Sequence, residues 1–195
     1  MTSEQIIEIF KKTGAMLDGH FILTSGFHSP HYFQCAKVLQ YPEYNSLFAK
    51  LIAEKFKGKK IDVVITPAVG GIVFGTEVGR QLNVRTIFSE REANIMTLRR
   101  GFEINEGENV LVCEDVVTTG GSVFEVIEIV KSHKANLAGV GFIIDRSSGK
   151  VNFGTEQHSL AKIDVIKFKE DELPDWLEKI PVTKPGSRGM MMNND

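Results

Sequence analysis

The run VLVCEDVVTTGGS at residues 110–122 constrains this chain more than any other part of it. Its first four apolar residues are typical of a buried strand, and two adjacent carboxylates, Glu114 and Asp115, are predicted to end that strand. Two threonines, two glycines and a serine follow, and apolar residues then recur at helical spacing from Val123 to Val130. The run therefore predicts a strand, a polar loop and a helix in that order.

The polar loop has the chemistry of a phosphate site. Glycines allow backbone amides to turn inward, and the start of the helix adds the positive end of its dipole. The two carboxylates can accept hydrogen bonds from neighbouring hydroxyl groups of a sugar, and a 5-phosphorylated ribose carries hydroxyls and phosphate at that spacing. The predicted phosphoribose site consists of Glu114, Asp115, Val116, Val117, Thr118, Thr119, Gly120, Gly121 and Ser122.

Other nucleotide-binding motifs fit the chain less well. An apolar strand that ends in acids also resembles a Walker-B strand, but the sequence contains no G-x-x-x-x-G-K-[ST] run. The dinucleotide motif G-x-G-x-x-G is missing too, since Gly139-Val140-Gly141 continues into Phe142-Ile143-Ile144. We interpret Gly139 and Gly141 as packing positions.

The run at residues 110–122 closely resembles the phosphoribosyl-diphosphate (PRPP) signature of type I phosphoribosyltransferases. The resemblance implies that Glu114 and Asp115 hold the 2′- and 3′-hydroxyls of ribose and that the loop holds the 5′-phosphate. A second strand-to-helix turn, TPAVGG at residues 66–71, has the position that binds diphosphate in that family, often through an unusual peptide geometry. The residues matched to this diphosphate loop are Ala68, Val69, Gly70 and Gly71. The resemblance also implies Mg²⁺, held mainly by the oxygens of PRPP and by water.

The order of apolar segments predicts an α/β fold. Strands are expected at residues 61–65, 84–88, 110–113, 138–144 and 163–168, and helices at 4–12, 44–56, 72–82 and 123–130. Alternating strands and helices indicate a central parallel sheet with helices on both faces. Ligands of such sheets bind beyond the carboxyl ends of the strands, where the loops at 66–71, 89–108, 114–122 and 145–149 are expected to meet.

The segment at residues 20–33 resembles the F-x-L-x-S-G-x-x-S-x-x-Y/F-F segment of orotate phosphoribosyltransferases. The resemblance implies a small hood over the base, with an aromatic ring stacked on the pyrimidine, and an arginine on the orotate carboxylate. A guanidinium pairs bidentately with a carboxylate, which suits that role. Taken singly, the aromatic residues could be core residues and the arginine a surface ion-pair partner. The residues matched to the base site are Ser25, Gly26, Tyr32, Phe33, Thr118 and Arg146.

The stretch from Ser89 to Gly107 is long and polar, and we predict a structureless lid over the active site. Better-known enterobacterial relatives carry a lysine and a histidine in this lid, whereas this chain has Asn94 and Met96. We expect a lid arginine to bring positive charge to the leaving diphosphate; the candidates for this catalytic role are Arg91, Arg99 and Arg100. The alternative is that these arginines are solvated and balanced by Glu90, Glu92 and Glu103.

The length of 195 residues suits one domain, in which residues 1–40 form the first helix and the hood, 41–170 the core, and 171–195 an extension. Its end, residues 184–195, is expected to fray. A net charge of −2 argues against a nucleic-acid partner, and the sequence has neither a secretory signal nor a membrane-spanning run. Cys35 and Cys113 lack metal-ligand spacing with histidine, and we expect a cytoplasmic protein.

The resemblance implies a homodimer that makes orotidine 5′-monophosphate from orotate and PRPP, a step of pyrimidine synthesis. Two alternatives remain open at this point. One is a phosphoribosyltransferase for another base, and the other is a non-catalytic regulator that senses PRPP with the same fold.

Overall fold

The computed structural model describes residues 1–23, 26–164 and 166–183. The helices are α1 (Ser3–Lys12), α2 (Ala36–Leu39), α3 (Pro42–Lys55), α4 (Gly70–Leu82), α5 (Gly121–Ser132) and α6 (Asp175–Glu178), with a 3₁₀ turn at Glu170–Glu172. The strands are β1 (Met16–Ile22), β2 (His28–Phe33), β3 (Val63–Pro67), β4 (Arg85–Glu92), β5 (Ile95–Leu98), β6 (Asn109–Val117), β7 (Asn136–Asp145), β8 (Gln157–Lys162) and β9 (Val182–Thr183). None of the helices in these ranges is long and apolar enough to cross a membrane.

The central sheet has six strands in the order β5-β4-β3-β6-β7-β8. Every neighbouring pair is parallel except β4 and β5, which are antiparallel. The predicted α/β fold with a central parallel sheet is therefore confirmed. Because β3, β4, β6 and β7 run in one direction, the loops that follow them meet at one edge of the sheet.

Helices cover both faces of this sheet and enclose two apolar clusters. One cluster contains Phe10, Phe48 and Phe74 from α1, α3 and α4, and the other contains residues of α5 such as Val126. The packing interpretation of the two β7 glycines is confirmed. A Cβ atom on Gly139 would lie 2.4 Å from the ring of Phe56, and one on Gly141 would lie 2.6 Å from Ile52 of α3.

A smaller sheet has the order β2-β1-β9; it contains the segment matched to the hood, and we call it the hood. Strands β1 and β2 are antiparallel, and β9 pairs in parallel with β1 through His20–Val182 and Phe21–Thr183. Strand β9 was not predicted, because a two-residue strand leaves no periodic pattern to detect. Residues Thr24, Ser25, Val165 and 184–195 lie outside the described residues.

The strand predicted at residues 163–168 is wrong. The chain forms β8 at Gln157–Lys162 instead, and among the described residues of the predicted segment only Phe168 takes part in a bridge, with His28. Strand β8 is an edge strand whose residues are mostly half-buried, so it lacks the apolar run that marks the central strands. The more apolar segment after it leaves the sheet and reaches the hood.

The prediction of a structureless lid at residues 89–107 is also wrong in its first half. Strand β4 continues to Glu92 and forms an antiparallel hairpin with β5, with Ser89 opposite Leu98. Ala93 and Asn94 make the turn with φ values of 49° and 68°, a left-handed conformation that suits two-residue hairpins. Charged side chains hide the strand pattern here, because most residues from Glu90 to Ile95 are solvent-exposed.

Candidate active site

Glu114 and Asp115 lie inside β6 and do not end it as predicted. Beyond Val112 the strand has no ladder partner in β3, but it stays paired with β7 up to Val117 opposite Asp145. Strand β7 therefore keeps β6 hydrogen-bonded past the two carboxylates, which were expected to end the strand. As a result, the acid pair is held on a rigid strand at the ligand-binding edge of the sheet.

Glu114 is buried and Asp115 is half-buried, and backbone amides donate hydrogen bonds to both carboxylates. Glu114 Oε1 accepts a hydrogen bond of 3.0 Å from the amide of Asp115, and Asp115 Oδ1 accepts one of 2.7 Å from the amide of Val116. Burial raises the pKa of both groups, and the nearby charge of Asp115 raises the pKa of Glu114 further. Both side chains are thus poorly hydrated acceptors that sugar hydroxyl groups can satisfy.

A cavity of about 80 Å³ lies at the start of α5. Gly120 immediately precedes the helix with a φ of 75°, and no side chain caps the first turn of α5. The free amides of that turn are the donors that a phosphate group requires. The cavity is lined by Glu114, Val116, Val117, Thr118, Thr119, Gly120, Gly121, Ser122 and Val123.

Phe153 packs against the phosphate loop at Gly120, a contact that was not predicted from the sequence. A Cβ atom on Gly120 would lie 2.9 Å from the ring of Phe153 and 2.9 Å from Val151. Phe153 is itself buried and packs edge-on against Phe142 of β7. The phenylalanine follows the loop by about thirty residues without a motif around it, so no sequence signal marks it.

The diphosphate loop touches the acid pair. A Cβ atom on Gly70 would lie 2.7 Å from Asp115 Oδ2, and one on Gly71 would lie 3.1 Å from Glu114 Oε1. The peptide bond between Ala68 and Val69 is cis. A side chain at residue 70 or 71 would thus crowd the acid pair, and the two predicted PRPP loops lie next to each other.

The base side of the site brings Arg146 and Phe33 together. The guanidinium carbon of Arg146 lies 4.7 Å from the centre of the Phe33 ring, while its backbone amide donates a 2.8 Å hydrogen bond to Val117 O. Arg146 Nε is buried without a hydrogen-bond partner, and burial lowers the pKa of the guanidinium. Within the described residues no carboxylate pairs with this cation.

The other residues matched to the base are less closely placed. Tyr32 is half-buried and stacks at 5.7 Å on Phe21 within the hood. Gly26 is exposed, with a φ of 81°, and Thr118 is exposed at the rim of the phosphate cavity. Ser25 lies outside the described residues.

The three candidate lid arginines are all engaged in ion pairs. Arg91 binds both carboxylate oxygens of Glu125 on α5, at 3.1 and 2.5 Å. The other two pairs are Arg99–Glu92 at 3.3 Å and Arg100–Glu90 at 2.9 Å. The balancing of charges by Glu90 and Glu92 that we considered from the sequence is present, and Arg91 is the one of the three that contacts the helix of the phosphate loop.

Comparison with known proteins gives the same class that the fold and the site define. The model of the phosphoribosyl transferase domain matches residues 37–170. An orotate phosphoribosyltransferase from Caldanaerobacter subterraneus subsp. tengcongensis is 55% identical over 188 residues, which cover 96% of this chain and 99% of that relative.

Two solved structures share the fold at low identity. The orotate phosphoribosyltransferase of Aeropyrum pernix is 24% identical with a TM-score of 0.64, covering 80% of this chain and 93% of that one. The adenine phosphoribosyltransferase of Rhodothermus marinus is 17% identical with a TM-score of 0.66, covering 82% and 99%. The fold alone therefore does not select the base.

The chain belongs to the phosphoribosyltransferase family. Relatives that are identical to it at more than half of the aligned positions place it among the orotate phosphoribosyltransferases.

Proposed function

We propose that this protein transfers the 5-phosphoribosyl group of PRPP to orotate, giving orotidine 5′-monophosphate and diphosphate in pyrimidine biosynthesis. The names of its close relatives support this reaction. The observation that carries it is Arg146, a partly buried guanidinium that stacks on Phe33, has a buried Nε without a hydrogen-bond partner and pairs with no carboxylate of the described residues. Such a cation requires an anionic ligand, and orotate is the carboxylated pyrimidine.

Arg146 distinguishes orotate from uracil by charge. A guanidinium binds a carboxylate through two parallel hydrogen bonds, and a hydrogen bond to a charged group contributes about 1.5–3 kcal/mol. Uracil lacks the carboxylate and would leave the buried Nε unsatisfied. In this proposal Phe33 supports the guanidinium, and Tyr32 provides a ring at the hood for the base to stack on.

The acid pair and the phosphate loop hold the ribose phosphate. Glu114 and Asp115 accept hydrogen bonds from the two ring hydroxyls, while the amides and hydroxyls from Thr118 to Ser122 bind the 5′-phosphate. Because the acids lie within contact distance of Gly70 and Gly71, the diphosphate is held next to the sugar. In this proposal C1 of the ribose lies between the base and its leaving group.

The reaction is a substitution at C1 of the ribose. A ring nitrogen of orotate forms the new bond to C1 as the bond from C1 to the diphosphate oxygen breaks, and the electron pair leaves with diphosphate. Positive charge develops on the ribose ring near the acid pair, and negative charge develops at the diphosphate loop. The protein therefore acts by positioning and by electrostatic stabilisation, without a covalent nucleophile.

We also propose a requirement for Mg²⁺. The carboxylates of Glu114 and Asp115 are oxygen donors of the kind Mg²⁺ prefers. Among the described residues no group of three candidate ligands could hold a metal ion alone. This donor set fits a cation that takes most of its ligands from PRPP and water, and that neutralises charge on the diphosphate when bound.

Arg91 is our candidate for the cation that meets the leaving diphosphate. Its ion pair with Glu125 holds it against α5, whose first residues form the phosphate loop. Arg99 and Arg100 bind acids of their own hairpin. Arg91 therefore has the shortest chain of contacts to the site among the three.

A homodimer and a cytoplasmic location complete the proposal. The starts of α3 and α4 expose apolar side chains, with Tyr41 at 40%, Val69 at 81% and Val73 at 51% of their full exposure. A second copy could cover this patch, and light scattering of the purified protein measures the state directly. Cys35 and Cys113 are buried free thiols, as is usual in a reducing compartment.

The reaction is tested with purified protein, PRPP, orotate and Mg²⁺. The proposal expects orotidine 5′-monophosphate and diphosphate to form in equal amounts, and little product without Mg²⁺. An Asp115→Asn variant keeps the shape of the side chain but removes the charge next to the ribose, so turnover should fall at least about a hundredfold. Tight PRPP binding without turnover in the wild type would instead support a PRPP sensor.

A further inference from the structure

The hood is tied to the segment at residues 166–183 by backbone hydrogen bonds. The amide of His28 donates to Phe168 O at 2.9 Å, and the amide of Phe168 donates back to His28 O at 2.9 Å. At the other strand, β9 pairs with His20 and Phe21. This C-terminal segment therefore contacts both strands of the hood hairpin.

Two histidines inside the hood extend these contacts. His20 Nε2 lies 2.6 Å from His28 Nδ1, and His20 Nδ1 lies 3.1 Å from Ile180 O. Both histidines are buried, with 2% and 5% of their surface exposed. The pair thus connects β2 to β1, and β1 to the C-terminal segment, away from solvent.

The carbonyl of Ile180 determines the direction of the hydrogen bonds that link Ile180, His20 and His28. Ile180 O can only accept, so Nδ1 of His20 carries the proton and donates to it. In a neutral ring Nε2 of His20 is then the acceptor, and His28 Nδ1 must donate to it. Each link therefore has a defined donor and acceptor, and the geometry holds the two rings in one relative position.

Side-chain and apolar contacts reinforce the same attachment. Ser29 Oγ donates a 2.9 Å hydrogen bond to Ile166 O. Leu177 of α6 is fully buried, and α6 packs against β1. Trp176 meets Phe168 edge-on at 6.4 Å. The C-terminal segment is thus fastened to the hood at several separate points.

The attached strand leads directly into the base site. Strand β2 begins at His28 and ends at Phe33, the ring that lies 4.7 Å from the Arg146 guanidinium. The hood sheet shares no strand with the six-stranded sheet that carries Arg146. A change in the position of β2 would therefore change the distance between Phe33 and Arg146 without a change in the PRPP loops.

We propose that His20 and His28 are positioning residues for the base, which lock the hood to the C-terminal segment and so set the affinity for orotate. The inference rests on the proposed function, since it takes the hood as the cover of the orotate site. Two buried imidazoles cost desolvation that apolar side chains would avoid. Their directed hydrogen bonds fix the position of the hood relative to the C-terminal segment, and apolar contacts would fix it less strictly.

The test compares His28→Ala with His28→Asn in the full-length enzyme. Alanine removes the donor to His20, whereas asparagine can place its amide nitrogen near the position of Nδ1. We expect His28→Ala to raise the KM for orotate about tenfold, as loss of a buried hydrogen bond would. The KM for PRPP should stay within about twofold, and His28→Asn should restore most of the orotate KM.

His31→Ala is the matched control. His31 lies on the same strand and binds Asp18 at 2.7 Å at the surface of the hairpin, without a link to the C-terminal segment in the contacts given above. It should leave both KM values unchanged. If His28→Ala does not fold, Ser29→Ala decides. It loses the bond to Ile166 O, together with the bonds of the hydroxyl to the backbone of His31 in the same strand, and it leaves the histidine pair intact. It should raise the orotate KM alone.

The inference is overturned if the variants raise both KM values together, if they change neither, or if asparagine fares no better than alanine. Those results are distinct from failure of the proposed function, in which the wild-type protein would not convert orotate at all.

Discussion

At the scale of single residues, the proposed function assigns base selection to Arg146. Its guanidinium is stacked on Phe33 and has a buried, unpaired Nε, so a bound carboxylate would satisfy it. We expect Arg146→Ala to lower kcat/KM for orotate by about 10- to 100-fold, as expected for loss of a charged hydrogen-bonded pair. Steady-state kinetics with saturating PRPP measure this.

Arg80→Ala is the control for that variant. Arg80 is an exposed arginine on α4 that binds Glu77 at 2.6 Å, and its removal should leave kcat/KM for orotate unchanged. Equal losses in the two variants would mean that Arg146 stabilises the protein and does not select the base.

The acid pair links stability to pH. Burial and the charge of Asp115 raise the pKa of Glu114 above its ordinary value of 4.5, so the folded protein binds this proton more tightly than the unfolded chain does. The free energy of unfolding therefore loses a contribution as the pH rises from about 4.5 through the raised pKa. Below about pH 4 the side chain is protonated in both states and the effect vanishes.

A Glu114→Gln variant tests this linkage, since glutamine cannot ionise. We expect its unfolding midpoint to exceed that of the wild type by about 2–4 °C at neutral pH, which corresponds to about 1 kcal/mol. The difference should disappear near pH 4, and turnover should fall because an acceptor for ribose is altered. A variant that is less stable than the wild type at neutral pH would contradict the account.

At the scale of elements, the β4–β5 hairpin is held against α5 by one ion pair, Arg91–Glu125. If Arg91 serves the diphosphate, this pair competes with the substrate for it. We expect Glu125→Gln to lower the KM for PRPP by up to about fivefold, since exposed ion pairs contribute about 0.2–1 kcal/mol.

Glu128→Gln is the control on the same helix, because Glu128 binds Lys131 and not the hairpin; its kinetics should match the wild type. A loss of turnover in Glu125→Gln would show instead that the ion pair supports the active state of the hairpin.

The same elements show where sequence patterns succeed. The central strands β3, β6 and β7 are apolar runs buried on both faces, and these runs were predicted. Strands β5 and β8 at the edges of the sheet were missed, because β5 has only four residues and follows a charged segment, and β8 is mostly polar and half-buried. The turn at Ala93 and Asn94 has a left-handed backbone without a glycine to mark it. The acids were expected to end β6, but the ladder to β7 continues past them.

At the scale of the whole molecule, the parts of the site that lie within one short segment of the sequence could be predicted. The phosphate loop, the acid pair and the diphosphate loop each lie in one short segment, and the parallel sheet brings them together. Phe153 behind Gly120 and the bond from His20 to Ile180 join distant segments. Such contacts depend on tertiary structure and leave no spacing to detect.

The fold, the acid pair and Arg146 together lead to the proposal of a phosphoribosyltransferase site that is selective for orotate. The most direct measurement offers the protein PRPP and Mg²⁺ with orotate, uracil, hypoxanthine or adenine, and follows each base by its absorbance. The account predicts consumption of orotate and at most about a hundredth of that rate with the other bases. Faster turnover of another base would keep the PRPP site but contradict the roles assigned to Arg146 and the hood.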